Sequence, residues 1–206
     1  DLSGEGACVC GNYSFKEDYK DMWAWEQSDF WYDPLRVARF FADNQARIDQ
    51  YIDRILEDKP QIACFSVATS SRLASLELAR RIKGKDRDIL VIFGGTLFFE
   101  KRWINAILEE GSVDIVVYGE GEETISELTK LLEAKKPLNL CCGIAFRNNG
   151  AVAQTPARSL IGNLDDLPFL DFSALPLTNY DDSGHIPFLA SRGCLQRCAF
   201  CSSRTF

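Results

Sequence analysis

With 206 residues, 46% of them hydrophobic and 26% charged, the chain has the composition of a folded globular protein, long enough for one well-buried domain and a further piece, which excludes wholesale disorder. Its formal charge of -7 and pI near 4.9 argue against a generic nucleic-acid binder, whose affinity comes from clustered Lys and Arg. No run approaches the roughly 20 apolar residues that span a bilayer and no secretory signal is present, so the expected location is the cytoplasm.

The chain opens on Asp1 without an initiator Met, which leaves room for an upstream segment. Cys8 to Phe15 reads as one strand. The aromatic stretch Trp23, Trp25, Phe30, Trp31 and Tyr32 has two readings: a flap packed over a sheet, or a lid for a large flat ligand. Asp33 followed by Pro34 is a helix start, because the carboxylate can cap free amides and Pro in the first turn sacrifices no internal hydrogen bond. One long helix to about Leu56 is expected.

From Ile62 the pattern alternates short apolar runs with amphipathic stretches, the mark of a parallel α/β sheet. Ile62 to Val67 is a strand and Ser70 to Lys83 a helix with Leu73, Leu76 and Ile82 near helical spacing. Ile89 to Phe93 is the next strand, stopped by Gly94 and Gly95. Trp103, Ile104, Ile107 and Leu108 line one face of a helix that Gly111 ends. Asp114 to Tyr118 forms a third strand, and Ile125, Leu128, Leu131 and Leu132 mark the helix after Gly119 to Gly121. Gly143 to Arg147 and Val152 to Gln154 flank Asn148-Asn149-Gly150 as a hairpin at the sheet edge. Leu164 to Tyr180 has turn chemistry without periodicity and reads as part of an inter-domain linker. Ile186 to Ala190 is a fresh strand that runs into a cluster of cysteines.

Eight cysteines could suggest a disulfide framework, yet Cys64 sits in an apolar run, Cys141 and Cys142 are adjacent, and three more crowd into eight residues. A reducing compartment with metal or cluster chemistry fits better. Cys194, Cys198 and Cys201 have the spacing Cys-x-x-x-Cys-x-x-Cys within Ser191-Arg-Gly-Cys-Leu-Gln-Arg-Cys-Ala-Phe-Cys-Ser. A four-iron cubane needs four ligands; three thiolates from one loop leave one iron open, free to chelate the amino and carboxylate groups of S-adenosylmethionine. The competing reading is structural zinc, which takes four protein ligands and here could only be completed by His185, the sole histidine.

The loop closely resembles that of radical S-adenosylmethionine (radical SAM) enzymes, in which an aromatic residue precedes the last cysteine. The resemblance implies that Cys194, Cys198 and Cys201 ligate a [4Fe-4S] cluster and that Phe200 contacts the adenine of S-adenosylmethionine. It further implies that Ile186 to Ala190 is the first strand of a partial (β/α) barrel, whose chemistry sits at strand-end loops. The segment from Ile62 to about Glu133 resembles the cobalamin-binding domain often placed ahead of that barrel. It does so through Phe65-Ser-Val-Ala-Thr-Ser-Ser, Phe93-Gly-Gly-Thr and Tyr118-Gly-Glu-Gly-Glu-Glu-Thr, three turns at strand carboxyl ends where open parallel sheets bind ligands. Gly94 and Gly95 carry no side chain to obstruct a nucleotide tail, and Ser66 and Thr69 offer hydroxyls. The expected cofactor face comprises Ser66, Thr69, Gly94, Gly95, Thr96, Gly119, Glu120 and Gly121.

Two alternatives stay open: a plain α/β sheet whose glycines only make turns, and a cobalamin-like domain that is empty. Gly119-x-Gly121 is a partial dinucleotide fingerprint, but Thr124 stands where its third glycine would, and Glu120, Glu122 and Glu123 would repel a pyrophosphate. No Asp-x-His-x-x-Gly motif for a lower cobalt ligand occurs in the chain.

The expected architecture is therefore a Rossmann-like (flavodoxin-like) α/β domain of cobalamin-binding type over residues 1–157, its usual first strand and helix missing. A linker over 158–184 and the start of a radical SAM barrel over 185–206 follow. The resemblance implies a radical SAM enzyme, read here as an N-terminal fragment that alone would not turn over. Such an enzyme cleaves S-adenosylmethionine reductively to a deoxyadenosyl radical and modifies an unactivated carbon; methyl transfer from methylcobalamin is the first expectation, while ring-forming, thiolating or rearranging members share the same front end. It implies an electron donor such as flavodoxin or ferredoxin and a small-molecule or peptide substrate that these residues do not identify. A non-catalytic α/β binding module with a zinc-bound tail is the alternative from a different class.

Overall fold

Leu90–Gly94 is apolar on both faces, and this decides the layering of the domain. Val91 and Phe93 point to one side and Ile92 to the other, and all three are essentially buried, so the sheet needs cover on both sides. A computed structural model describes residues 25–169, 191–194, 196, 198 and 199. They fall into two compact units, the described residues of 1–59 with those of 163–190, and those of 60–162 with those of 191–206.

The larger unit is a five-stranded sheet in the order β1 (Ile62–Ser66), β2 (Leu90–Gly94), β3 (Ile115–Val117), β4 (Ile144–Asn148), β5 (Ala151–Gln154). The first three strands are parallel, with Ser66 opposite Gly94 and Phe93 opposite Val116. Strands β4 and β5 continue the sheet antiparallel, Val116 facing Ala145 and Arg147 facing Val152. Asn149 at φ 50° and Gly150 at φ 84° make the tight turn between them, both in the left-handed region that this two-residue hairpin demands.

Helices α3 (Arg72–Lys85) and α4 (Arg102–Glu109) cover one face: Leu76, Ala79, Ile104, Ile107 and Leu108 pack with Val91, Phe93 and Val116. Helix α5 (Glu122–Glu133) covers the other, where Leu128 packs with Ile92, Ile115, Val117 and Ile144. The period-two alternation along β2 and β3 thus sorts side chains into two cores. Just before β3, the Asp114 carboxylate accepts the Val91 N–H at 2.7 Å and pairs with Lys83 at 2.6 Å, tying α3 to the sheet.

The smaller unit contains α1 (Pro34–Asp43) and α2 (Gln45–Glu57). Asp33 caps α1 as its sequence suggests, accepting the Leu35 N–H at 2.8 Å and the Arg36 N–H at 3.3 Å, with Pro34 in the first turn. The expected single helix to about Leu56 is corrected here to two helices that break at Asn44. Its side-chain amide donates to the Phe40 carbonyl at 2.9 Å, competing with the helical ladder, and its backbone sits at φ -111°, ψ 18°.

The aromatic stretch is a 3-10 helix over Trp25–Tyr32. Phe30 and Trp31 meet Phe40 of α1 edge to face, with ring centroids 6.4 and 5.5 Å apart, a packing arrangement worth roughly 0.5–1.5 kcal/mol per pair beyond area burial. The strands expected at Cys8 to Phe15 and Ile186 to Ala190, and the linker from Leu170 onward, lie outside the described residues. Among the described residues, no helix is long and apolar enough to cross a membrane.

Candidate functional site

Because β1, β2 and β3 run parallel, their carboxyl ends share one edge of the sheet, and the three turns singled out in the sequence meet there. The first two are clasped together. Val67 donates its N–H to the Gly94 carbonyl at 2.7 Å and accepts the Leu97 N–H at 3.0 Å. Gly95 lies inside this clasp at φ 103°, ψ -173°, a region that only glycine adopts readily. A Cβ there would stand 2.7 Å from the Val67 nitrogen, 2.8 Å from its carbonyl oxygen and 3.2 Å from the Ser66 Oγ.

The turn after β1 is closed by Ser71, whose Oγ accepts the Ala68 N–H at 2.9 Å and donates to the Ala68 carbonyl at 3.3 Å. Helix α3 starts at Arg72, two residues later than the expected Ser70. Ser66, Thr69, Gly95 and Thr96 are left exposed along the two turns, with Gly94 half-buried between them. Five of the expected cofactor-face residues are therefore neighbours on one open rim.

The third turn divides by residue. Gly119, at φ 79°, is exposed, and among the described residues nothing lies within 4 Å of where a Cβ would stand, so its backbone borders open space there. Gly121 precedes α5. Glu120 turns inward instead, and its side chain is only 5% exposed. One carboxylate oxygen accepts the Ile161 N–H, and the other pairs with Arg192 at 3.1 Å. The second nitrogen of the same guanidinium bonds Glu122. Partial burial pushes the Glu122 carboxyl up, but its bond to Arg192 and the backbone amides at the start of α5 outweigh that and hold it below the ordinary glutamate range.

A second arginine answers the rest of the acidic turn. Arg158 donates from Nε to Thr124 Oγ1 at 2.9 Å, approaches Glu123 at 3.5 Å and bonds Glu127, an interaction that holds the Glu127 carboxyl below its usual range. The run of acids that reads in sequence as a repulsive face is thus compensated by two arginines from distant parts of the chain. Neither was flagged by sequence spacing. The only signal was the placement of Arg192 two residues before Cys194. Beneath this turn Cys141 is fully buried and its thiol is pushed up to about 11, chiefly by burial and then by the nearby Glu127 charge, the profile of an inert core cysteine.

The cysteine loop is described at Ser191–Cys194, Gln196, Cys198 and Ala199. Gly193 turns the chain at φ 74°, and the exposed Cys194 accepts the Gln196 N–H on its sulfur at 3.4 Å. Cys198 is likewise exposed and free. Cys201 and Phe200, the remaining residues that the sequence assigns to cluster and adenine, lie outside the described residues. Among the described residues no three His, Cys, Asp or Glu side chains are grouped to hold a metal ion.

Residues 34–129 match the family described as the B12 binding domain. Among curated relatives the chain is similar to the uncharacterized methyltransferase PH0819 of Pyrococcus horikoshii, 33% identical over 148 residues, 70% of this chain and 32% of that protein. It is also similar to the anaerobic magnesium-protoporphyrin IX monomethyl ester cyclase of Synechocystis, 26% identical over 162 residues, 76% of this chain and 32% of the cyclase. The cyclase of the same name from Cereibacter sphaeroides is 28% identical over 170 residues, 77% of this chain and 27% of its own. The chain spans about a third of the length of these relatives. Among solved structures, the cobalamin-dependent S-adenosylmethionine radical enzyme OxsB with aqua-cobalamin and S-adenosylmethionine bound overlaps 55% of this chain and 16% of its own, at 23% identity and a TM-score of 0.46.

Proposed function

We propose that this chain is the front part of a cobalamin-dependent radical SAM enzyme that methylates or otherwise modifies an unactivated carbon. The observation that carries the reading is the coexistence, in one chain, of a B12-binding domain with an open rim and a Cys-x-x-x-Cys-x-x-Cys loop at its far end. One relative named as a methyltransferase and two named as anaerobic magnesium-protoporphyrin IX monomethyl ester cyclases support the reading.

The residues present suit the corrinoid. The rim at the ends of β1 and β2 carries the exposed residues Ser66, Thr69 and Thr96 beside two glycines, and Gly119 borders open space among the described residues, so a large planar group could approach bare backbone while hydroxyls meet its amides and phosphate. Glu120, expected on this face, supports the third turn from inside through Ile161 and Arg192. For the cluster, the donor chemistry is three thiolates, Cys194, Cys198 and Cys201, which leaves one iron for S-adenosylmethionine, and Phe200 would stack near the adenine. When bound, the cluster supplies the electron for cleaving S-adenosylmethionine and cobalamin supplies a transferable methyl group. What this chain contributes is the positioning of the two cofactors, with an electron donor such as flavodoxin or ferredoxin serving the cluster.

The test is anaerobic reconstitution of the full-length protein with iron, sulfide and hydroxocobalamin, followed by metal analysis and an ultraviolet-visible spectrum. About four irons and four sulfides per chain with a retained corrinoid band support the proposal. Stoichiometric zinc in a colourless protein contradicts it and supports a binding module instead, and a cluster without corrinoid marks a domain that has kept its shape and lost its ligand.

A further inference from the structure

We infer that Arg192 is a positioning residue that straps the cysteine loop to the carboxyl end of β3, holding Cys194 beside the face on which the corrinoid is proposed to bind. What loop and face carry rests on the reading above. The strap itself rests on geometry.

Glu120 is the anchor. Its side chain is 5% exposed, and a carboxylate withdrawn that far from water must be met by donors or be costly to bury. The Ile161 N–H meets one oxygen, and the Arg192 guanidinium meets the other at 3.1 Å. Arg192 then extends its second nitrogen to Glu122, on the first turn of α5. One planar fork thus grips two carboxylates on either side of Gly121, an arrangement that a lysine, with a single point charge, cannot reproduce.

The partners are 72 and 70 residues apart in sequence, so nothing local requires the contact. Only Gly193, at φ 74°, separates Arg192 from Cys194, and a grip at Arg192 therefore carries directly to the first proposed cluster ligand. Any domain could satisfy Glu120 with a residue of its own sheet. Here the donor comes from the loop that bears the cysteines, and it lands on the turn whose next residue back, Gly119, borders the open rim. Two cofactors that act on one substrate carbon need a fixed separation, and a misplacement of about 1 Å can cost roughly a hundredfold in rate.

The experiment uses the full-length protein, reconstituted anaerobically, with Arg192→Ala, Arg192→Lys and Glu122→Gln. Two readouts are taken besides activity: amide hydrogen exchange over Ser191 to Cys194, and the magnetic interaction between the reduced cluster and cob(II)alamin by electron paramagnetic resonance. Arg192→Ala is expected to accelerate exchange in the loop about tenfold or more and to broaden the distribution of cluster-to-cobalt distances at unchanged iron content. Arg192→Lys, which keeps the charge and loses the fork, should fall between that variant and wild type, and Glu122→Gln, which leaves Glu120 paired, should show a smaller acceleration of a few fold.

Unchanged exchange and an unchanged distance distribution in Arg192→Ala overturn the strap while the proposed function stands. A wild-type protein that takes up neither cluster nor corrinoid overturns the function, and the exchange measurement still decides the strap. Should Arg192→Ala fail to fold, the graded pair Arg192→Lys and Glu122→Gln decides it: wild-type exchange in both refutes the inference.

Discussion

Replacing Gly95 by alanine isolates the close approach that joins the first two turns of the rim. The new Cβ would stand 2.7 and 2.8 Å from the backbone nitrogen and oxygen of Val67, and neither atom can rotate aside because both are committed, the nitrogen to the Gly94 carbonyl and the oxygen to the Leu97 N–H. Two costs combine. A non-glycine residue at φ 103°, ψ -173° carries strain of roughly 1–3 kcal/mol, and forcing an extra methyl into packed backbone costs a similar amount, roughly 1–3 kcal/mol.

A loss of roughly 2–6 kcal/mol is expected, which for a chain of this size lowers the melting temperature by roughly 4–24 °C. Gly119→Ala is the control. Its φ is also positive, at 79°, but among the described residues no atom lies within 4 Å of the added Cβ, so only the conformational cost of roughly 1–2 kcal/mol applies. Thermal unfolding followed by far-ultraviolet circular dichroism measures both. Equal losses in the two variants would refute the clasp, because the close approach to Val67 exists at Gly95 and not at Gly119.

Gly94→Ala separates ligand from fold: its Cβ would meet Val117 at an ordinary 3.7 Å, so stability should change by less than about 1 kcal/mol while corrinoid retention on gel filtration falls. Wild-type retention would remove Gly94 from the rim. Asp33→Ala deletes two capping bonds at α1 and should cost about 1 kcal/mol in urea unfolding, whereas an unchanged midpoint would show the cap to be idle. The bond from Arg158 holds the Glu127 carboxyl below its usual range. A depressed folded-state pKa contributes stability that is complete above the unfolded glutamate value of about 4.3 and is lost as pH falls through the folded value. Urea midpoints of wild type and Glu127→Gln should therefore differ at pH 7 and converge under acid below pH 4, and a gap that widens on acidification would contradict the assignment.

The sheet was legible because its signals are local. Leu90 to Phe93 is too apolar for anything but a strand buried on both faces, the Asn149-Gly150 pair dictates its hairpin, and Asp33-Pro34 announces α1. The break at Asn44 was hidden, since nothing in the apolar spacing of Phe40, Phe41, Ile48 and Ile52 changes where a side-chain amide takes over the Phe40 carbonyl.

The rim was legible as residue types at strand ends, but the reason for Gly95 was not. It lies in Val67, 28 positions away, brought near by the parallel pairing of β1 with β2. The partners of the acidic turn were hidden for the same reason. Glu120, Glu122 and Glu123 look repulsive in sequence, and only the fold brings Arg192 and Arg158 to answer them. Charge complementarity between distant segments leaves no periodic trace.

The central claim, that three thiolates of one loop hold a four-iron cluster with a vacant corner, is tested most directly by electron paramagnetic resonance of the reduced, anaerobically reconstituted full-length protein, with and without S-adenosylmethionine. A [4Fe-4S]⁺ signal that shifts when S-adenosylmethionine is added, and that disappears when Cys194, Cys198 and Cys201 are replaced by alanine, is the predicted result. A reduced protein without a cluster signal, or a signal indifferent to S-adenosylmethionine because a fourth protein ligand fills the corner, would contradict it.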